Sequence, residues 1–475
     1  MDPNSLFANL LGTERENMII IELFAGVGGF RLGLEGYKPK GKKNYYSLEN
    51  GHIKGKRLKK IPHEGFFITG LANQFEPSTK TIQHAAKVYQ KRFNDNTLVN
   101  EDVDLLDGNR IMDKIKETVP KKRQNEDIIL VGGFPCQDYS VAGRLDLSKG
   151  MKGKKGVLWW NIYNILVDLK NNNRTPKLVL LENVDRLIKS PANARGRDFM
   201  TLLHCLHYLG YDVEYMVINA GEYGYPQRRR RVFILANQRD TLLREPILKH
   251  AFPFQQTSQT QILELFEPNT TKEELGIRLE DYNLGWDYNK SPFQNYGSLK
   301  SGVLSTLQFS EIPVKPKVVI KDLLQRTSDG EIGPEYYVND EDIKRWEEAK
   351  KGGTIKRTGM NRETGIKDYV YNFSVGNMPT FDSLEKPFRT IITSEGGKTP
   401  SRTKHLIKVS DGKNGKFQEG PRRLTPLELE RANCFPDNFT LHEEVSDSRR
   451  AFLMGNALVV GVVERIRNSI INNLK

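Results

Sequence analysis

Four short runs carry residue types that chemistry requires. Cys136 follows an apolar run, Asp127–Val131, and the turn Gly132-Gly133-Phe134-Pro135. A thiolate is an intrinsically good nucleophile, and a cysteine at the end of a sheet strand can stand in a cleft. A lone cysteine is more often buried and inert, but the polar Gln137-Asp138 directly after it does not suit a core position. Glu182 closes a second apolar run, Lys177–Leu181. A carboxyl kept protonated beside a nucleophile can act as an acid toward a ring nitrogen; a helix cap or an ion pair is the plainer reading of it alone. In Gln227-Arg228-Arg229-Arg230-Arg231-Val232-Phe233 arginines run into an apolar strand. Alternation sends Arg229 and Arg231 to one side, suited to phosphate or a base carbonyl. A solvated charge run is the usual account of such a stretch, though arginines entering a core strand are not usual. The fourth run, Ile21-Glu22-Leu23-Phe24-Ala25-Gly26-Val27-Gly28-Gly29, ends a strand in a glycine-rich turn that lets a nucleotide-like ligand approach the backbone. A tight turn with no ligand would look the same. Gln74 and Asp102 fall after the next strands, where a ribose diol and an adenine amine need short polar partners.

These runs need a scaffold that brings strand ends together. From Met18 to about Ala236, short apolar runs alternate with amphipathic stretches, the pattern of a mainly parallel sheet covered by helices. Strands are expected at Met18–Leu23, Phe66–Leu71, Asp127–Val131, Lys177–Leu181, Asp212–Asn219 and Val232–Ala236. Helices are expected at Ser78–Phe93, Val157–Leu169 and Gly196–Leu209, with Ser78 and Gly210 as cap residues. Ligands bind at the carboxyl ends of strands in open α/β sheets. The stretch from Asp240 to Pro421 differs: Gly, Pro, Asn and Lys are scattered through it, with short β-like runs at Tyr369–Val375 and Phe388–Thr393. It reads as a separate, smaller, irregular β-rich domain. Helical patterning resumes at Leu424–Arg431 and Ala457–Ile471. The division expected is an N-terminal arm (1–17), a main α/β domain (18–240), the smaller domain (241–421) and a C-terminal segment completing the first (422–475). The Lys-rich stretch Lys38–Lys60 reads as a solvated basic insertion.

Composition narrows the setting. The chain has 475 residues, 37% of them hydrophobic and 28% charged, which is ordinary for a folded globular protein. A net charge of +13 favours a polyanionic partner, although charge alone fits many basic proteins. Cys136, Cys205 and Cys434 are widely spaced with no C-x-x-C pair, which argues against a disulfide framework and against a zinc site, so no metal is expected. No apolar stretch approaches the length of a membrane span, and the N-terminus lacks the pattern of a signal peptide. A reducing, cytoplasmic or nucleoid-associated location is expected.

Taken together and in order, the runs resemble the signature blocks of the cytosine-5 DNA methyltransferase family, of the bacterial or phage restriction-modification type. The matching residues are Phe24 to Gly29, Gly133-Phe134-Pro135-Cys136-Gln137, Glu182-Asn183-Val184, Asn219-Ala220 with Tyr223 to Arg231, Arg423-Leu424-Thr425-Pro426 and Gly455-Asn456-Ala457. The resemblance implies a Rossmann-like methyltransferase domain, with 241–421 in the place of the variable target-recognition domain. It implies that Cys136 adds to C6 of a flipped-out cytosine, that Glu182 holds N3 and the exocyclic amine, that Arg231 contacts the base carbonyl and that Arg229 fixes the site and nearby phosphate. S-adenosylmethionine is the implied cofactor, leaving as S-adenosylhomocysteine. Its implied contacts are Phe24, Ala25, Gly26, Gly28, Gly29, Gln74, Phe75, Asp102, Val103, Pro135, Leu158, Asn456 and Ala457. Gln137, Ser140, Arg144, Arg228 and Arg229 are the implied DNA contacts, with Gln137 to Lys155 forming a basic loop that closes over DNA. The sequence departs from the family where Asn73-Gln74-Phe75-Glu76 replaces the common Glu-Trp, and where Ala457 replaces a serine. Arg357, Arg362, Lys398 and Arg402 are candidate base readers. Double-stranded DNA is the implied partner of a monomer, with a cognate restriction endonuclease or defence-system proteins beyond it. A transfer-RNA cytosine-5 methyltransferase and a catalytically silent DNA-binding regulator are the alternatives. The long 241–421 region favours DNA over the first, and the retained Cys136 and glycine turn disfavour the second.

Overall fold

A computed structural model describes residues 17–36, 64–77, 81–135, 158–192, 194–264, 289–312, 318–351, 355–359, 369–373, 376–410 and 415–474. The first half alternates strands and helices: β1 (Met18–Leu23), α1 (Gly29–Glu35), β2 (Phe67–Asn73), α2 (His84–Phe93), β3 (Leu98–Val99), α3 (Gly108–Thr118), β4 (Asp127–Gly132), α4 (Leu158–Asn171), β5 (Leu178–Val184), α5 (Arg197–Tyr208), β6 (Tyr211–Asn219) and β7 (Arg230–Gln238). There follow α6 (Ile247–Ala251), β8 (Phe254–Gln256), β9 (Gln261–Glu264), β10 (Tyr296–Lys300), β11 (Val303–Leu307) and β12 (Phe309–Glu311). The remainder holds α7 (Ile320–Leu323), α8 (Asp340–Lys350), β13 (Ile355–Gly359), β14 (Tyr369–Phe373), β15 (Ile407–Val409), β16 (Gly420–Arg422), α9 (Pro426–Ala432), α10 (Asp447–Asn456) and α11 (Val460–Asn473). No helix among the described residues is long and apolar enough to cross a membrane.

Ten strands form one sheet in the order β3-β2-β1-β4-β5-β7-β6-β10-β11-β9. From β3 to β5 every pairing is parallel. β7 enters antiparallel between β5 and β6, so β6 keeps the direction of β5. The expected mainly parallel α/β sheet is therefore present. Its central strands are buried on both faces, and residue alternation divides the core in two. Met18, Ile20, Ile129, Val131, Leu178, Leu180, Phe233 and Leu235 pack toward α1, α2, α6 and α11. Ile19, Ile21, Ile128, Leu130, Val179, Leu181, Val232 and Ile234 pack toward α3, α4 and α5.

Three sequence expectations change. The boundary expected at residue 241 does not interrupt the sheet, because β10 pairs with β6 and carries β11 and β9 onto the same edge. The run Phe388–Thr393 is not a strand; it makes one isolated bridge, Gln227 to Phe388, and otherwise serves as an extended tie. The helix expected from Ser78 starts at His84, with residues 78–80 outside the described set, as are Lys38–Lys60. The remaining expected elements of the first half match within a few residues. Gly210 adopts φ 97° after α5, as a helix-ending glycine should.

The C-terminal segment returns to the first layer. α11 lies against α1 so closely that a Cβ on Gly33 would stand 2.6 Å from Val463 Cβ. Tyr225 Oη donates to the Gly461 carbonyl at 2.9 Å, fixing α11 to the turn before β7. Gly33→Ala is therefore expected to lose about 1–3 kcal/mol of stability by overpacking, despite the better helix propensity of alanine. Urea unfolding checks this, and a variant as stable as the parent would contradict the contact.

Candidate active site

β5 is the middle of the site. Its parallel partner β4 brings Gly132 opposite Leu181, so the turn leaving β4 runs beside Glu182. A Cβ on Gly133 would lie 3.4 Å from Glu182 Oε2. Asn183 Nδ2 donates to the Phe134 carbonyl at 3.1 Å, and Asn183 Oδ1 accepts from the Val184 N–H at 2.9 Å. One side chain thus fastens the Phe134-Pro135 backbone to the end of β5. Cys136 is the next residue; with Gln137, Ser140 and Arg144 it lies outside the described residues.

On the other side of β5, β7 is antiparallel and places Arg231 opposite Val184. Glu182 and Arg231 are then diagonal neighbours on one face, within reach of two long side chains. Arg231 Nε lies 2.9 Å from Glu182 Oε1, with the two side chains 17% and 13% exposed. Arg231 Nη1 donates to the Arg230 carbonyl at 2.7 Å. The pair sits at the strand ends, largely covered, with a small part of each side chain exposed.

Arg229 is corrected. It precedes β7, where the chain follows Phe388 rather than the β5 ladder, so strand alternation does not extend to it. Its side chain is buried, 3% exposed. Arg229 Nη1 donates to the Ile391 carbonyl at 3.1 Å and Nη2 to the Gly455 carbonyl at 2.9 Å. A guanidinium used in this way is an interior tie and does not face phosphate. Arg228 and Arg230 are exposed. Arg230 Nε pairs with Asp185 Oδ2 at 2.9 Å, whereas the exposed side chain of Arg228 suits the DNA contact expected of it.

The glycine turn crosses the ends of β1, β2 and β3. Phe24 (φ 54°), Gly26 (φ 57°) and Gly28 (φ 87°) take left-handed backbone, and a Cβ on Gly28 would collide with Phe93 Cε2 at 2.4 Å. No described atom lies within 4 Å of where a Cβ on Gly26 would sit, which leaves open space over the turn. The Ala25 N–H reaches the Asn73 carbonyl at 2.9 Å, and the Gly26 N–H reaches Gln74 Oε1 at 2.7 Å. Gln74 therefore braces the turn with the oxygen expected to meet a ribose. Phe75 is half-buried beside it. Asp102 begins the single turn Val103–Leu105 and accepts from the Asp104 N–H at 3.3 Å. The first turn of α4, which holds half-buried Leu158, reaches that turn through Asn161 Nδ2 to Asp104 Oδ1 at 2.5 Å. From the C-terminal side, a Cβ on Gly29 would lie 3.2 Å from Leu458 Cγ, so exposed Asn456 and half-buried Ala457 arrive at the same place. Of the candidate base readers, Lys398 and Arg402 are exposed; Arg362 lies outside the described residues, and only the backbone is described at Arg357.

Residue reasoning had not singled out Glu22, Gln227 or Asn433. Glu22 was visible in the sequence as a charge inside Ile19-Ile20-Ile21-Glu22-Leu23. Its Oε1 accepts from the Phe30 and Arg31 N–H groups at 3.2 and 3.4 Å, satisfying the start of α1 from a strand below. Its Oε2 is buried with no hydrogen-bond partner among the described residues. Burial pushes the carboxyl up to about 8, outweighing the opposing pull of the Arg31 N–H and the Arg31 charge. The neutral acid is thus the form that fits beneath the glycine turn.

Residues 18–472 match the sequence profile of the C-5 cytosine-specific DNA methylase family. A type II methyltransferase of Staphylococcus aureus, M.Sau3AI, is 36% identical over 457 residues, covering 95% of this chain and 95% of that protein. M.NgoBI of Neisseria gonorrhoeae, another type II methyltransferase, is 31% identical over 215 residues, 45% of this chain and 49% of its own length. Among solved structures, the S. pombe Dnmt2 methyltransferase superposes with a TM-score of 0.50 at 14% identity, covering 96% of this chain and 98% of that one, a likeness of fold.

Glu22 gives a pH test. In the folded state its proton is held to about pH 8, whereas the unfolded carboxyl loses it near its ordinary value of 4.5. Between those values the folded state binds more protons than the unfolded, so this contribution to stability is full at low pH and declines as pH rises. Urea unfolding at pH 5.5 and 8 should show Glu22→Gln gaining on the parent by up to roughly 3 kcal/mol at the higher pH, at about 1.4 kcal/mol per pH unit. Parallel behaviour of the two proteins would mean that Glu22 is ionised in the fold.

Proposed function

Because the chain belongs to the C-5 cytosine-specific DNA methylase family, we propose that it transfers a methyl group from S-adenosylmethionine to C5 of a cytosine flipped out of duplex DNA, with Cys136 as nucleophile. The observation that carries this reading is the Glu182–Arg231 pair at 2.9 Å, beside a β4 turn whose backbone Asn183 holds at Phe134, two residues before Cys136.

Each residue has a task. The Cys136 sulfur, as thiolate, forms a bond to C6, and the ring electrons pushed toward N3 need a stabilising acid. Arg231 restrains one oxygen of Glu182, leaving Oε2 on the Gly133 side to engage N3 and the exocyclic amine. Once C5 carries the methyl, loss of the C5 proton to a base restores the ring double bond and expels the thiolate. Within a stacked duplex neither C5 nor C6 can be approached in this way, so the base must leave the helix.

The described residues fit the cofactor. Open space over Gly26, the brace from Gln74 and the exposed amide of Asn456 make a cradle into which Asp102 and Leu158 can contribute. When bound there, S-adenosylmethionine supplies an electrophilic methyl group. Gln74 serves this cradle by shaping the turn, because its oxygen is already engaged. Gln137, Ser140, Arg144 and Arg228 are the proposed DNA contacts near the flipped base. The relatives named type II methyltransferases support a setting beside a cognate restriction endonuclease, where methylation marks self DNA.

Duplex DNA incubated with tritiated S-adenosylmethionine should become labelled at cytosine C5, and transfer RNA should not compete. Cys136→Ser should abolish transfer while S-adenosylhomocysteine still binds, and Glu182→Gln should lower the rate by roughly 10²-fold or more, as loss of a positioned acid does. Failure to label any of several cytosine-rich duplexes would sink the reading, and a Cys136→Ser protein of near-normal rate would remove Cys136 from its role.

A further inference from the structure

The segment Pro226 to Arg229 is tied to two other parts of the chain at once. Toward the recognition segment, the Phe388 N–H donates to the Pro226 carbonyl and the Arg228 N–H to the Phe388 carbonyl, both at 2.8 Å. Thr390 Oγ1 donates to the Arg228 carbonyl at 2.7 Å, and the Ile391 N–H donates to Gln227 Oε1 at 3.0 Å. Toward the cofactor side, Gln227 Nε2 donates to Asn433 Oδ1 at 2.7 Å. Asn433 brackets the Gly455-Asn456-Ala457 turn, since its Nδ2 donates to the Met454 carbonyl at 3.0 Å and its own carbonyl accepts from the Val460 N–H at 3.0 Å. Arg229 joins both sides through one rigid fork, on the carbonyls of Ile391 and Gly455. The two backbones touch there, because a Cβ on Gly455 would stand 2.5 Å from the Ile392 carbonyl carbon and Thr393 Cα.

We propose that Arg229 is a positioning residue that couples binding on the DNA side to binding on the cofactor side. The residues after Ile391 lead into the exposed stretch with Lys398 and Arg402, and the residue after Gly455 is Asn456 at the cradle. Two residues beyond Arg229, Arg231 holds Glu182. Ile391 is buried and already held by Gln227 and Arg229, so DNA bound by the stretch that follows it stiffens a chain whose anchor is the same fork that fixes Gly455, and the second ligand meets a turn already ordered. Such coupling is reciprocal: each ligand must tighten the other by the same factor. A planar guanidinium can hold two carbonyls where a lysine ammonium on a flexible stem has no fixed fork. The inference rests on the proposed methyl transfer only for the identity of the two ligands.

The test measures the dissociation constant of S-adenosylhomocysteine by calorimetry, with and without saturating sheared genomic DNA, for the parent and for R229K. The parent should show at least about a 5-fold tightening, the lower end of ordinary coupling, and R229K less than about 2-fold at a similar melting temperature. A merely structural Arg229 would alter the melting temperature and leave the ratio intact. No tightening in the parent, or an undiminished ratio in R229K, would overturn the proposal. If R229K does not fold, Thr390→Val removes one half-exposed tie of the same junction and should at least halve the ratio; an unchanged ratio overturns it equally. Coupling without methyl transfer would count against the proposed reaction alone, and transfer without coupling against this inference alone.

Discussion

Everything at the site depends on the register of β5 between two neighbours of opposite direction. Parallel pairing with β4 puts the Gly133 turn against Glu182, and antiparallel pairing with β7 puts Arg231 one diagonal away on the same face. Alternation has a period of two, so a slip of one residue in β7 would send Arg231 into the layer of α4 and α5 and leave Glu182 facing Val232 or its neighbours. The register is protected by the core itself: Phe233 and Leu235 belong to one hydrophobic layer, Val232 and Ile234 to the other. The same apolar pattern that folds the sheet aims the two charged groups at each other.

That pattern is why so much of the first half could be read from sequence. Buried parallel strands appear as short continuous apolar runs, and β1, β4 and β6 lie within a residue of where such runs predicted them. The carboxylate and the arginine strand were legible for the same reason, as charges standing at run ends. The second half was less legible. β10 and β11, Tyr-Gly-Ser-Leu-Lys and Val-Leu-Ser-Thr-Leu, are five residues each with polar residues between the apolar ones, and β9 is separated from them in sequence, so nothing local announces that they extend the first sheet. Arg229 was misplaced because alternation was carried one residue beyond the strand. Gln74 was seen as a polar residue in the right place, but sequence cannot show that the Gly26 N–H is its partner.

Charge runs deep in the C-terminal part. The helix expected over Leu424–Arg431 is present as α9, Pro-Leu-Glu-Leu-Glu-Arg-Ala, and every one of its residues is buried, the charged ones included. Arg422 Nη2 lies 2.7 Å from Glu428 Oε1, Arg431 Nη2 is 2.7 Å from Asp437 Oδ2 and 2.9 Å from Asp329 Oδ2, and Arg450 Nη2 is 3.1 Å from Glu430 Oε1. Thr425 and Glu428 complete a capping box at the start of the same helix. Buried ion pairs are weak devices for net stability, because desolvation offsets much of the attraction, but each leaves a costly unpaired charge if its partner is misplaced. They make wrong arrangements of this half expensive, which suits a region that must hold Asn433 and the Gly455 turn in one place.

The packing of α11 on α1 sets an order of events during synthesis. Arg467 Nη1 donates to the Gly33 carbonyl at 3.4 Å across 434 residues of chain. α1 is synthesised long before α11, so the apolar face of α1, with Phe30, Leu32 and Leu34, lacks one of its coverings until α11 has been made. Contacts so distant in sequence are slow to form, since a long loop must close before they contribute. Until that closure the nascent chain carries the glycine turn, the carboxylate and the arginines without the layer that holds them in register. The final setting of α1, and of the glycine turn that leads into it, therefore waits on a helix made long after both.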